Sequence, residues 1–273
     1  MTIVTIFGGT FGDDEELARN VATQLKWPFI GRDLFIAASR RCDVPEAKLH
    51  DLVEKEPKWW ERWQENLKPY RIALQAAMSE AALVENLVYQ GHVGHWLLPG
   101  IRHVLRVLLT APSEYRLEQV RARQGLDDKA ARRYVDQVEK AYTRRLMALF
   151  GTDWRDPGHY ALVLNRAQMS SVGAENTIVA AAKLMDYQAT VESRRALENL
   201  ALSTRVQAHF LTFPRLRNLD INVRASDGEL ILSGILPTTV PELEIRNVVE
   251  KIPGVKKVIV DFVTIPGTAL GAG

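Results

Sequence analysis

The first 25 residues constrain the fold more than any other stretch. Thr2-Ile3-Val4-Thr5-Ile6-Phe7 carries no charge and reads as a buried strand. Gly8-Gly9-Thr10-Phe11-Gly12 follows, and then a helix in which Leu17, Val21 and Leu25 fall at i, i+4 and i+8 on one face. Strand, glycine-rich turn and helix N-terminus in this order form a cradle for phosphate, because unpaired N–H groups and the positive end of the helix dipole face the anion. Here the helix opens with Asp13-Asp14-Glu15-Glu16. Those carboxylates suit the dipole but repel a polyphosphate. No Gly-Lys-Ser/Thr closes the loop. The pattern reads as a phosphate site that has been eroded or repurposed.

Five apolar runs are strand candidates: 3–7, 27–30, 87–90, 104–110 and 160–165. Helical patterns separate them, which predicts a parallel sheet with crossover helices. The connection from Ile30 to Leu87 is helical by pattern, over 44–54 and 70–85, with Trp59, Trp60 and Trp63 between. It reads as a substrate flap or as packing, and the tryptophans as core or flap-base residues. Residues 119–150 are helical and basic, with Asp127-Asp128 capping a second helix. Their arginines, Arg121 and Arg144 among them, form a solvated face or a lid that clamps phosphates. A single long helix is expected over 170–202. The composition then changes: 216–223, 229–233 and 255–264 are strand-like, Ser226-Asp227-Gly228 is a hairpin turn, and 241–251 is a helix stopped by Pro253-Gly254.

Composition excludes several classes. A formal net charge of +2 on 273 residues gives no case for nucleic-acid binding. One cysteine, Cys42, excludes an internal disulfide and a multi-cysteine zinc site. No apolar run approaches the roughly 20 residues that cross a bilayer, and no signal peptide is recognised, so a cytoplasmic location is expected. His92 and His95 lie three apart, but no third ligand is fixed nearby, so no metal is assigned. No catalytic residue is assigned either, since no Ser-His-Asp or Cys-His arrangement is supported by spacing.

Residues 1–187 resemble the cytidylate-kinase-like family of P-loop proteins. The stretches that carry the resemblance, in order, are Thr5-Ile6 with Phe11-Gly12 and Glu16-Leu17-Ala18, Trp27-Pro28-Phe29-Ile30-Gly31-Arg32-Asp33-Leu34-Phe35, Val88-Tyr89-Gln90-Gly91-His92-Val93-Gly94-His95, Leu108-Leu109-Thr110-Ala111-Pro112, and Asp153-Trp154-Arg155-Asp156-Pro157 with 160–165. The resemblance implies a nucleotide-kinase scaffold with Gly8, Gly9, Gly12, Arg32, Asp33, Gly91, His92, Arg121 and Arg144 as nucleotide-binding candidates. Gly8-Gly9 could form a backbone nest. Arg32-Asp33 could hold substrate through paired charge, or form an internal ion pair at a helix start. His92 stands where an arginine is expected, either as a weaker phosphate donor or as a turn residue without a ligand. The lid's Asp-x-x-Arg pattern is replaced near Glu139-Lys140-Ala141-Tyr142. Loop, acceptor arginine and lid depart together, which predicts a pseudo-kinase because phosphoryl transfer is mostly positioning and electrostatics.

Residues 203–264 resemble the BON domain, through Asp227-Gly228-Glu229-Leu230-Ile231-Leu232-Ser233-Gly234 and Pro253-Gly254-Val255-Lys256-Lys257-Val258. That family is associated with phospholipid or partner binding. The expected architecture is therefore an α/β P-loop kinase-like parallel sheet with helices (1–187), a helical linker (188–202), a small α+β BON-like domain (203–264) and a disordered tail (265–273). The leading functional expectation is a nucleotide- or ligand-sensing regulatory protein with a protein or phospholipid partner. The alternatives are an active cytidylate-type kinase using ATP and magnesium, and a non-catalytic scaffold. Turnover separates the kinase from the other two, and binding without turnover separates the sensor from the scaffold.

Overall fold

The computed structural model describes residues 1–8, 14–42, 45–47, 49, 67–84 and 86–265. A five-stranded sheet, wholly parallel, is ordered β2-β3-β1-β4-β5 from β1 (Ile3–Gly8), β2 (Phe29–Ile30), β3 (Leu87–Gln90), β4 (Val104–Thr110) and β5 (Leu162–Asn165). β1 is central and buried along its whole length, as a strand covered on both faces must be. Its Ile3 and Phe7 face one core and Val4 and Ile6 the other. The first core is covered by α2 (Asp33–Cys42), α3 (Lys68–Val84), α4 (Gly94–Leu97) and the end of α6 (Asp128–Phe150). The second is covered by α1 (Asp14–Leu25) and α7 (Ser171–Ala182), where Glu175 accepts from Asn20 and Gln24. The chain builds β2 and β3 on one side of β1, then crosses to β4 on the other. That reversal opens a crevice beyond the C-terminal end of β1, the place where such sheets bind ligands.

A three-stranded sheet follows, ordered β6-β7-β8, from β6 (Ile221–Ser226), β7 (Glu229–Pro237) and β8 (Lys257–Ile265). β6 and β7 form an antiparallel hairpin closed by Asp227 and Gly228, whose φ of 52° and 91° are the left-handed pair that a two-residue hairpin turn requires. α9 (Glu242–Val249) carries the chain from β7 to a parallel β8. Ile245 and Val249 close a third core with Leu230, Leu232 and Val258.

α8 (Val191–Leu211) serves two cores. Leu197, Ala208 and Leu211 pack in the first core; Leu202, Val206 and Phe210 pack in the third. Arg205 reaches both sides, bonding Glu80 on α3 and the Pro253 carbonyl. No helix among the described residues is long and apolar enough to cross a membrane.

Several expectations are corrected. The helix expected over 170–202 is broken into α7, a short 3-10 turn at Met185–Tyr187, and α8. Tertiary bonds make the break: Thr2 Oγ1 donates to the Tyr187 carbonyl and the Ala189 N–H to the Met1 carbonyl. Thr190 and Ser193 then start α8 with a reciprocal capping box. α8 runs unbroken across positions 202 and 203. The strand expected over 27–30 shrinks to Phe29–Ile30, because α1 ends in a left-handed turn at Lys26 (φ 59°) and Trp27 N–H still bonds Ala22. β6 begins at Ile221, not 216, since residues 213–219 spend their backbone groups on local turns. β7 continues to Pro237, and β8 starts at Lys257 rather than 255. Most of the 44–54 helix, the three tryptophans, and the tail after Ile265 lie outside the described residues.

Candidate nucleotide site

The crevice is floored by the C-terminal ends of β1 and β3 and the start of α1. β1 ends at Gly8, and a Cβ there would collide with the Asp14 side chain. Asp14 is only 8% exposed, at the first position of α1. Its carboxylate accepts from Gln90 Nε2, at the end of β3. A carboxylate therefore lies against the strand end and helix start that would otherwise offer N–H groups to an anion. Glu15 points out and pairs with Arg19 at 2.8 Å. Gly91 extends the β1–β3 ladder, its N–H bonding Ile6 at 3.1 Å. Its φ of 153° and its closeness to the Tyr89 ring exclude a side chain.

His92 turns into the first core. Phe7 meets it edge-on at 5.5 Å and Tyr142 of α6 lies against it at 4.0 Å. Burial, reinforced by Arg145 and Arg32, pushes its pKa down to about 3. The ring is therefore neutral at physiological pH and supplies none of the positive charge that an arginine would bring. Its Nδ1 has no hydrogen-bond partner.

The nine candidates separate spatially. Gly8, Gly91 and His92 come together at the floor. Gly9 and Gly12 lie outside the described residues. Arg32 and Asp33 are exposed at the start of α2, with Arg32 near enough to His92 to act on its titration. Arg121, near the end of α5 (Ser113–Gln124), pairs at 2.7 Å with Asp128. That bond bridges the turn between α5 and α6, where Asp127 caps α6 by accepting from Ala130 N–H at 2.7 Å. Arg144 is exposed on α6.

Arg145, the next residue, is the one that faces the site. It is 3% exposed and its guanidinium lies 5.7 Å from the Tyr142 ring centre. Sequence reasoning missed it, although a signal was present: Tyr142, Arg145, Leu146 and Leu149 fall at i, i+3, i+4 and i+7, the buried stripe of α6. Arg166, beyond β5, was also missed; it is buried and donates to the Met169 carbonyl and Ser171 Oγ, fixing the entry to α7.

The parallel sheet order, the crevice beyond β1 and the basic helical pair after β4 accord with the match of residues 3–168 to the model of the cytidylate kinase-like family. The chain belongs to that family. Residues 199–266 match the BON domain, which spans the end of α8 and the whole second sheet. A cytidylate kinase of Pyrobaculum arsenaticum is 25% identical over 171 residues, 62% of this chain and 86% of that protein. One of Ignicoccus hospitalis is 26% identical over 179 residues, 65% of this chain and 97% of its own. The crystal structure of an uncharacterized protein from Eubacterium ventriosum shares the fold, with a TM-score of 0.53 at 14% identity, over 66% of this chain and 97% of that one.

Within the cytidylate kinase-like scaffold, ATP and magnesium are the implied ligands. The described residues fit the triphosphate poorly, although a carboxylate is itself a magnesium ligand. The group set against the strand end is the Asp14 carboxylate, and the His92 ring is uncharged. Arg145 is the cation that the fold places nearest to His92 on α6.

Proposed function

We propose that the chain is a nucleotide- or ligand-responsive regulatory protein on a cytidylate-kinase scaffold with little or no phosphoryl transfer. Its BON domain serves a protein or phospholipid partner. The observation that carries this reading is the buried Asp14 carboxylate at the head of α1, tied to Gln90. A negative group there opposes the charge that phosphoryl transfer has to stabilise, and no covalent chemistry by the protein replaces that term. A neutral His92 removes a second electrostatic contribution. Arg145 lies buried beside Tyr142 on the same side of the site. α8 links that domain to the second, so ligand occupancy on one side can bias the surface of the other.

A second reading, an active cytidylate kinase, is favoured by family membership and by relatives that align over most of their own length. Calorimetric titration with CMP, ATP and magnesium, followed by a turnover assay on the same sample, separates the two. Nucleotide binding without turnover supports the regulatory reading. Turnover of CMP with ATP at ordinary kinase rates refutes it.

A further inference from the structure

The second sheet ends on an open edge. β8 pairs with β7 and, among the described residues, with no other strand. Successive residues of a strand turn their N–H and C=O groups to opposite sides, so every second residue of β8 directs them away from β7. Two bonds fix which ones. The Lys257 N–H donates to the Gly228 carbonyl, and the Ile265 carbonyl accepts from the Thr238 N–H at 2.9 Å, so the odd-numbered residues face β7. Val258, Val260, Phe262 and Thr264 therefore present their backbone groups outward. The Val258 carbonyl accepts from the Arg246 guanidinium of α9 at 2.9 Å and keeps a second lone pair. Among the described residues, no backbone bond from another segment reaches the other three.

This edge is long and lightly guarded. β8 has nine residues and neither proline nor glycine. Long edges are ordinarily blunted by proline, bulges or repeated charge, because unpaired backbone groups template another strand. β8 carries two charges, Lys257 and Asp261, of opposite sign and four residues apart. Both are exposed on the face of the sheet away from the third core, together with Ile259 and Val263. Lys257 pairs with Glu229 of β7 at 3.3 Å. Asp261 has no ion-pair partner among the described residues. Beside it on that face stand Ser233 of β7, in register, and Ile259 and Val263 along its own strand.

A second copy of the edge is its complement. When two β8 strands meet antiparallel about a two-fold axis, the centre of the axis fixes every pair. A register centred on Ile259 sets Lys257 opposite Asp261 of the second copy, and symmetry makes that pair twice; no other two-fold register brings these two residues opposite each other. The backbone agrees with the charges. In this register Val258 stands opposite Val260 of the second copy, and both direct their N–H and C=O outward, as a hydrogen-bonded pair requires. Ile259 meets its own symmetry mate at a non-hydrogen-bonded position, where side chains approach most closely. The register centred on Asp261 overlaps the whole strand, but it sets two carboxylates face to face.

We propose that β8 is a self-association edge, through which two copies of the chain join antiparallel about Ile259 into one continuous sheet. Asp261 gains a cation, and Lys257 lies between Glu229 of its own chain and Asp261 of the second copy. Ile231 and Ile235, exposed on β7 in register with Ile259 and Val263, lie on the same face of the joined sheet. The proposal is independent of the nucleotide reading, because no part of the edge belongs to the first sheet.

The test is sedimentation equilibrium on the full chain. A strand-pair contact is at the small end of specific interfaces, so we expect a dissociation constant of about 10–100 μM, with the mass rising from one chain to two across that range. Asp261→Lys and Lys257→Glu each set like charges opposite one another, and each alone should weaken association at least about tenfold. In an equimolar mixture of the two variants, the mixed dimer recovers both opposite-charge pairs, and association should return to near the native level. A merely structural effect of either change would not be rescued by mixing. Val260→Pro removes an N–H that β7 does not use; it should abolish the dimer and leave the urea melt close to native. Oxidised Ile259→Cys should cross-link two chains, since Cα atoms at such a position lie about 4.5 Å apart, within disulfide reach. Val263→Cys should not. A single-chain mass throughout the range overturns the proposal, as does a dimer that Asp261→Lys and Val260→Pro leave unchanged. Cross-linking through Val263→Cys and not through Ile259→Cys overturns the register.

Discussion

Replacing Asp14 by Asn tests the electrostatic account of the phosphate site most directly. The amide keeps the volume packed against Gly8, and its oxygen can still accept from Gln90, so the change removes charge with little change of shape. Two unit charges about 5 Å apart at an effective dielectric near 20 repel by roughly 3 kcal/mol. Solvent at the crevice and a magnesium ion on the nucleotide reduce this, and we expect about 1–2 kcal/mol to be recovered, roughly a 5- to 30-fold gain in ATP affinity. A carboxylate at a helix N-terminus contributes about 0.3–1 kcal/mol to the helix. Calorimetry with ATP, with and without magnesium, gives the affinity, and urea denaturation gives the stability. Glu15→Gln is the control, since Glu15 is exposed and already neutralised by Arg19. Unchanged or weaker ATP binding by Asp14→Asn would refute the argument, and weakening confined to the magnesium arm would show that the carboxylate serves the metal instead.

Other outcomes follow from the same geometry. Phosphorylation of CMP should run at least about a thousandfold below an ordinary nucleotide kinase, as loss of one transition-state charge contact alone can cause; turnover within tenfold of such an enzyme would contradict it. Stability should fall steeply below pH 6.5. His92 and His95 are pushed to about 3 and His103 to about 4, all by burial, so the unfolded chain takes up protons that the folded chain refuses. The contribution is fully present above pH 6.5 and is lost as pH falls from there toward the folded values, at about 1.4 kcal/mol per histidine per pH unit, or roughly 6 kcal/mol for the three by pH 5. Urea melts from pH 8 to 5 measure it, and a flat profile would show that these rings are not buried. Limited proteolysis should cut within residues 183–190, where Met185 is 84% exposed, and leave α8 attached to a folded C-terminal fragment. A first cut inside α8 would contradict its burial between two cores.

What was legible in the sequence follows from how local each signal is. β1, β3 and β4 could be read because strands covered on both faces are continuous apolar runs. The hairpin at Asp227-Gly228 could be read because its turn demands those residue types. The break between α7 and α8 could not be read from periodicity, because it is made by bonds from Met1 and Thr2, more than 180 residues away. The Thr190-x-x-Ser193 cap was the local trace of it. At the site, the glycines and His92 were found as a motif, but the choice between Arg144 and Arg145 turned on one step of helix phase. Asp14 was noticed for its charge. That it folds back over Gly8 and takes Gln90 as its donor depends on β3 lying beside β1, which a linear motif does not encode.

α8 limits how the two domains can communicate. It gives Leu202, Val206 and Phe210 to the BON core and Leu197, Ala208 and Leu211 to the kinase-like core. Burying the three large side chains on the BON side contributes roughly 5–9 kcal/mol, and the two leucines on the other side roughly 3–6 kcal/mol, so swinging α8 off either core would cost a large part of a domain's stability. Polar contacts reinforce the seam: Ser79 Oγ lies 3.0 Å from Thr204 Oγ1 inside it, and Glu80 pairs with both Arg205 and Arg41. That packing opposes independent rocking of the two domains about α8. Ser79 and Glu80 of α3 sit directly on α8. α8 in turn carries Arg205, whose guanidinium holds the Pro253 carbonyl at the turn before β8. On the regulatory reading proposed above, a signal between the two cores would travel as a small shear of packed helices rather than a swing, since packed interfaces move between discrete arrangements.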